Sequence, residues 1–113
     1  MTAAMRALTR RVLHFNGFTF DVGSRQVTSP AGQPISLTRA EYELLRVFVH
    51  NPGTVMARDR LISAITHRQD GTNTRTIDVL VQRLRAKLGD DPKAPRIFAT
   101  SHGEGYVFTA QLD

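Results

Sequence analysis

The sequence predicts one α+β domain: an N-terminal four-stranded antiparallel sheet, three helices and a C-terminal β-hairpin. Three observations carry this. The first third alternates short β-like runs with turn residues, the middle repeats apolar residues at helical spacing, and the last β-like runs flank Gly103-Glu104-Gly105. A chain of 113 residues with 41% hydrophobic and 22% charged residues has the size and balance of one folded domain.

The elements follow in order. Residues 1–11 have Arg6, Arg10 and Arg11 but only a broken set of apolar residues, so they read as a flexible arm or the end of a linker rather than a secretion signal. The domain then spans 12–113. Val12-Leu13-His14-Phe15 and Phe18-Thr19-Phe20 are separated by Asn16-Gly17, a strong hairpin turn. Arg25 to Ser29 is the third strand and Ile35-Ser36-Leu37 the fourth, with Pro30-Ala31-Gly32 turning the chain between them.

Thr38-Arg39-Ala40-Glu41 has the form of a capping box, in which the Thr38 hydroxyl and the Glu41 carboxylate each satisfy a backbone N–H of the other. Leu44, Leu45, Phe48 and Val49 continue the helix, and Asn51-Pro52-Gly53 stops it. A shorter helix fits Arg58 to Thr66. Ala57 stands where a hydroxyl cap would be usual, so this helix should start less firmly. His67 to Asn73 is a polar loop. The third helix runs from about Thr74 to Leu88, with Gly89 as its stop, and Ile97–Thr100 and Tyr106–Thr109 form the final hairpin.

Function is read from the third helix, 75–88. At about 100° per residue, Val81, Leu84 and Leu88 fall within about 40° of Ile77 and form a core stripe. The opposite face collects Arg75, Val79, Gln82, Arg83 and Ala86, with Arg85 and Lys87 on the flanks. These side chains suit a major groove: arginine pairs with guanine, glutamine with adenine, and an aliphatic group meets the thymine methyl. A solvated amphipathic helix would show much of the same charge. The bare Val79 on a polar face, a net charge of +5 and a pI near 10.7 favour a polyanionic partner. Two helices before the basic helix and a hairpin after it make the order of a winged helix-turn-helix, with 75–88 in the major groove and the wing, 97–109, near the backbone or minor groove.

Enzyme classes fit poorly. The four histidines, at 14, 50, 67 and 102, fall in different elements without ligand spacing, and there is no cysteine for a disulfide or thiolate site. Ser101 and His102 are expected on opposite faces of a strand. Asp90-Asp91 reads as an exposed helix-exit loop rather than a cation site. No glycine-rich phosphate loop is present, and no cofactor or metal is expected. No apolar run reaches the roughly 18 residues that a membrane span needs.

Thr38-x-x-Glu41-x-x-Leu44-Leu45, Arg58-x-x-Leu61, Arg75-Thr76-Ile77-Asp78-Val79, Arg83-Leu84-Arg85-x-Lys87-Leu88 and Gly103-x-Gly105-Tyr106 stand in the order found in one family. From Val12 to Thr109 the chain resembles the effector domain of OmpR/PhoB-type response regulators. The resemblance implies a cytoplasmic bacterial transcription factor and not an enzyme. It implies a receiver domain phosphorylated by a sensor kinase, a domain that is monomeric alone and dimeric on direct-repeat DNA half-sites, and contact with RNA polymerase through loop 67–73. It assigns Arg75 and Thr76 to phosphate at the helix start, and Val79, Gln82 and Arg83 to base edges. Arg58, Arg85 and Lys87 are assigned to the backbone, and Thr100, His102 and Tyr106 to the wing. Two departures stand out: His102 occupies a wing tip where arginine is common, and Glu104 beside it would repel phosphate. Two alternatives share the fold: the winged helix of a receiver-less or membrane-anchored activator, and a winged helix used for protein contacts with reduced DNA binding.

Overall fold

The computed structural model describes residues 12–65 and 75–113. The expected arm 1–11, loop 67–73 and the helix-end residues Thr66 and Thr74 lie outside the described residues.

Four antiparallel strands open the domain: β1 (Val12–Phe15), β2 (Phe18–Asp21), β3 (Gln26–Thr28) and β4 (Pro34–Ile35), paired in sequence order. At the β1–β2 turn Asn16 and Gly17 have φ of 48° and 82°. A two-residue hairpin of type I′ requires positive φ at both centres, which is why the Asn-Gly pair sets the register Phe15↔Phe18. Alternation then sends Leu13, Phe15, Phe20 and Val27 to one buried face. Two strands are displaced from their expected positions. Arg25 has φ of 59° and belongs to the turn, so β3 starts at Gln26. The last strand is Pro34–Ile35, not Ile35–Leu37, because the Ser36 carbonyl accepts a bond from Lys87 Nζ instead of a strand neighbour.

Helix α1 (Arg39–Val49) begins at the expected capping box: Glu41 N–H donates to Thr38 Oγ1 at 3.2 Å, and Thr38 N–H to Glu41 Oε1 at 2.8 Å. A two-residue strand, β5 (Val55–Met56), follows and was not expected from the sequence. Helix α2 (Arg58–Ile65) comes next, and the Ala57 carbonyl accepts its first backbone bond from Leu61. Helix α3 (Arg75–Leu88) ends in a Schellman motif. Gly89, at φ 67°, donates to the Ala86 carbonyl, and Asp90 N–H reaches back to that of Arg85.

Strands β6 (Phe98–Ser101) and β7 (Gly105–Phe108) form the hairpin. With β5 they make a three-stranded sheet in the order β5-β7-β6. His102 therefore sits in the turn and not in a strand beside Ser101. Gly105 allows the β5 contact. A Cβ there would lie 2.0 Å from the Met56 carbonyl oxygen, and its φ of +148° is one that side-chain-bearing residues rarely adopt.

The two sheets share one core. Phe15 packs edge-on against Phe108 at 5.4 Å between ring centres. Phe108 meets Phe98, and Phe98 meets Phe48 of α1 at 5.1 Å. All four rings are fully buried, each contributing about 1.5–3 kcal/mol by removal from water. The last residues return to β1: Leu112 bridges Phe15, and Asp113 N–H donates to the His14 carbonyl.

Asp90 corrects the expectation of an exposed helix exit. It is buried, and its carboxylate accepts from the backbone N–H groups of Arg96, Ile97 and Phe98 at 2.6, 3.2 and 3.0 Å. It fastens the entrance of β6 to the end of α3, leaving Asp91 on the surface.

Candidate nucleic-acid interface

The outward strip of α3 is assembled as its periodicity requires. Ile77, Leu80, Val81, Leu84 and Leu88 are buried. Arg75, Val79, Gln82, Arg83 and Ala86 are all exposed, and Thr76 is half-buried at the helix start. Val79 is 48% exposed, one of only two large apolar side chains so exposed among the described residues. No described residue bonds the Arg83 guanidinium. A guanidinium with no partner among the described residues, an amide and two small aliphatic groups on one ridge complement the acceptors, donors and methyl groups that base edges present in a major groove.

The flanks of α3 differ from expectation. Arg85 is buried at 3% exposure. Its Nη2 donates to the Phe98 carbonyl and to Thr100 Oγ1, both at 3.0 Å, and its guanidinium lies 5.7 Å from the Tyr106 ring centre. It faces β6, not phosphate. On an isolated helical wheel this position is a flank, and only the packed hairpin turns it into interior. Lys87 is exposed along its stem, but its ammonium is committed to the Ser36 carbonyl at 2.8 Å and to Glu41 Oε1 at 2.5 Å. Glu41 is 1% exposed. Burial pushes its carboxyl up, and the bonds from Lys87 and Thr38 outweigh that and hold its pKa below the usual carboxylate value. Removing Lys87 would strand a buried charge.

A second cluster centres on Asp78, the acid of α3. Its Oδ1 accepts from the Tyr106 hydroxyl at 2.5 Å and from Arg58 Nε at 2.8 Å. The Tyr106 bond has the largest effect and lowers the Asp78 pKa; burial opposes it, and the bond and charge of Arg58 add to the lowering. Burial, and then Asp78, push the Tyr106 hydroxyl up. The Arg58 guanidinium also lies 5.2 Å from the Tyr106 ring centre. Arg58, expected to hold a DNA backbone, is therefore already paired at the junction of α2, α3 and β7, with a side chain only 29% exposed. Tyr106 is buried and offers its hydroxyl to α3, so it anchors the hairpin without reaching a surface ligand. Thr100 is exposed, with its hydroxyl taken by Arg85.

At the hairpin tip His102 and Glu104 are exposed. The Ser101 hydroxyl donates to Glu104 Oε2 at 3.0 Å, and Glu104 N–H donates to the Ser101 carbonyl. Sequence reasoning missed Asp78 as the link between hairpin and helix. Its only signal was being the sole acid on a basic helix.

A cleft of about 920 Å³ opens at the far end of α3, between Asn16, Gly89, Asp91 and Arg96. No cluster of three metal-ligating side chains occurs among the described residues.

Comparison with known proteins agrees with this geometry. Residues 32–108 match the family model described as transcriptional regulatory protein, C terminal. The chain is 43% identical over 96 residues to the transcriptional regulatory protein AruR of Pseudomonas aeruginosa, covering 85% of this chain and 39% of AruR. It thus spans about two fifths of the length of the curated relatives it matches. The fold is similar to the Klebsiella pneumoniae RstA DNA-binding domain, solved in complex with the RstA box, at a TM-score of 0.77 and 31% identity, covering 88% of this chain and 98% of that one. It is also similar to the response regulator DrrB of Thermotoga maritima, an OmpR/PhoB homologue, at a TM-score of 0.80 and 30% identity, covering 93% of this chain and 47% of DrrB.

Proposed function

Since the chain belongs to the family of C-terminal domains of OmpR/PhoB-type transcriptional regulators, we propose that it reads double-stranded DNA by laying α3 in the major groove. The observation that carries this reading is the exposed ridge of α3. Arg75, Val79, Gln82, Arg83 and Ala86 face outward together, while the other cations of the helix, Arg85 and Lys87, are turned to structural tasks. Val79, Gln82 and Arg83 are the base readers, and Arg75 and Thr76 sit where phosphate would meet the helix start. The rest of the positive surface supplies the sequence-independent attraction.

In this reading the domain is the output end of a two-component response regulator working in the cytoplasm. A receiver domain phosphorylated by a sensor kinase pairs two copies on direct repeats, and the domain alone is monomeric. Residues 67–73 are the part offered to RNA polymerase. No described helix is long and apolar enough to cross a membrane. The test is selection of bound duplexes from a random pool, followed by affinity measurements on the selected and scrambled sequences over a range of salt. A selected consensus containing spaced repeats supports the reading. Equal affinity for selected and scrambled duplexes would overturn it.

A further inference from the structure

All fifteen Lys and Arg residues of the chain precede Ile97. From Ile97 to Asp113 the only charged side chains are Glu104 and Asp113. The hairpin is therefore the acidic part of a basic domain, and Glu104 stands at its tip. This carboxylate is held in place. Ser101 Oγ donates to Oε2 at 3.0 Å, and the Glu104 N–H closes the turn onto the Ser101 carbonyl. No cation pairs with it among the described residues. The tip itself is fixed relative to α3, because Tyr106 bonds Asp78 and Thr100 bonds Arg85 on either strand just behind it. When α3 occupies a major groove, a hairpin bolted to its side faces the flanking backbone and the minor groove beyond.

Resting on the DNA-reading function above, we infer that Glu104 is a specificity-determining residue that acts by repulsion. Minor grooves of A-tracts are narrow and carry the most negative potential, which rewards an inserted cation and penalises a carboxylate. A fixed Glu104 therefore makes the domain reject sites whose wing-side flank is an A-tract and tolerate wider, G·C-containing flanks. Discrimination of this kind comes from a cost laid on the wrong partner rather than from a contact with the right one. The Ser101 bond matters because a freely rotating carboxylate would swing away and lose most of the effect.

The test uses a duplex selected from a random pool by the wild-type domain, remade with either flank replaced in turn by an A-tract or by a mixed G·C sequence. The wild type should bind the G·C-flanked duplex about three- to tenfold more tightly on one side only, the size of a single charge–charge interaction across water. Glu104→Gln should bring that ratio within about twofold while leaving thermal stability unchanged. Ser101→Ala should give an intermediate ratio, and the wild-type ratio should shrink as salt is raised. Comparing variants on the same pair of duplexes removes the intrinsic stiffness of the A-tract from the result. A ratio that is the same in wild type and Glu104→Gln, or a wild-type preference for the A-tract flank, overturns this inference alone. Failure of the wild type to prefer its selected duplex over scrambled DNA overturns the DNA-reading assignment as well.

Discussion

Helix α3 and the hairpin lie side by side and share a cluster of bonds, yet they present opposite surfaces. The helix shows Arg75, Gln82 and Arg83 around a bare Val79, whereas the hairpin shows hydroxyls, an imidazole and a carboxylate with no lysine or arginine. The contrast is sharpest between two arginines on one helix. Arg83 points out with no described partner, and Arg85, two positions later, is buried against Phe98, Thr100 and Tyr106. One cation is left exposed on the ridge and the other fixes the hairpin beside it. Residue type alone does not separate these roles; position around the helix relative to the packed hairpin does.

The largest expected effect tests whether the hairpin is locked. Gly105→Ala places a methyl 2.0 Å from the Met56 carbonyl at a φ that alanine adopts only with strain. It should cost about 3 kcal/mol or more of stability in urea denaturation. A loss below about 1 kcal/mol would mean that β5 and β7 can part cheaply.

Arg85→Ala should come next. It strips the Phe98 carbonyl and Thr100 hydroxyl of a charged donor and should lower stability by about 2–3 kcal/mol. The salt dependence of binding to random DNA should stay unchanged, because no phosphate contact is lost. A slope flattened by about one unit would return Arg85 to the phosphate role assigned from sequence.

Arg83→Ala should do the reverse. Affinity for the selected site should fall by about 1–3 kcal/mol and selectivity at one base pair should relax. Stability should stay within about 0.5 kcal/mol. Equal losses on selected and scrambled DNA would move Arg83 from bases to backbone.

The smallest effect is electrostatic. Asp78 and Glu41 have pKa values lowered by folding. The stability they contribute is present above the ordinary carboxylate range and is lost as pH falls through their folded values. Tyr106 is raised, so its contribution is present below the usual tyrosine pKa and is lost as pH climbs through the folded value. Tyr106→Phe removes the strongest influence on Asp78 and should cost about 1 kcal/mol at neutral pH. It should also make the acid side of the stability–pH curve shallower. An unchanged acid limb would place the titration elsewhere.

Local signals made most of the fold readable. Asn16-Gly17 demands positive φ, Thr38-x-x-Glu41 closes on itself, and the Ile77, Val81, Leu84, Leu88 stripe needs only the helical period. The outward strip of α3 was legible for the same reason, since it is the complement of that stripe. Tertiary partners decided what was missed. Strand β5 is two residues long and carries no period of its own, existing only because Gly105 leaves room for the Met56 carbonyl. Arg85, Lys87 and Asp90 are charged residues that ordinary exposure rules send to the surface. The partners of Lys87 lie far back along the chain, at Ser36 and Glu41, and those of Arg85 and Asp90 lie in the strand that follows the helix exit, which only folding brings against them.

The return of the chain to its first strand has a practical meaning. Asp113 and Leu112 pair with His14 and Phe15, so the two ends of the described fold meet at one spot on its surface. A unit whose ends meet can be spliced into a longer polypeptide through a narrow doorway. It can also be cut open at a distant surface turn and rejoined across residues 12 and 113 with its architecture intact. Moving such a unit into another polypeptide calls for a compatible tether at that doorway and leaves the exposed ridge of α3 untouched.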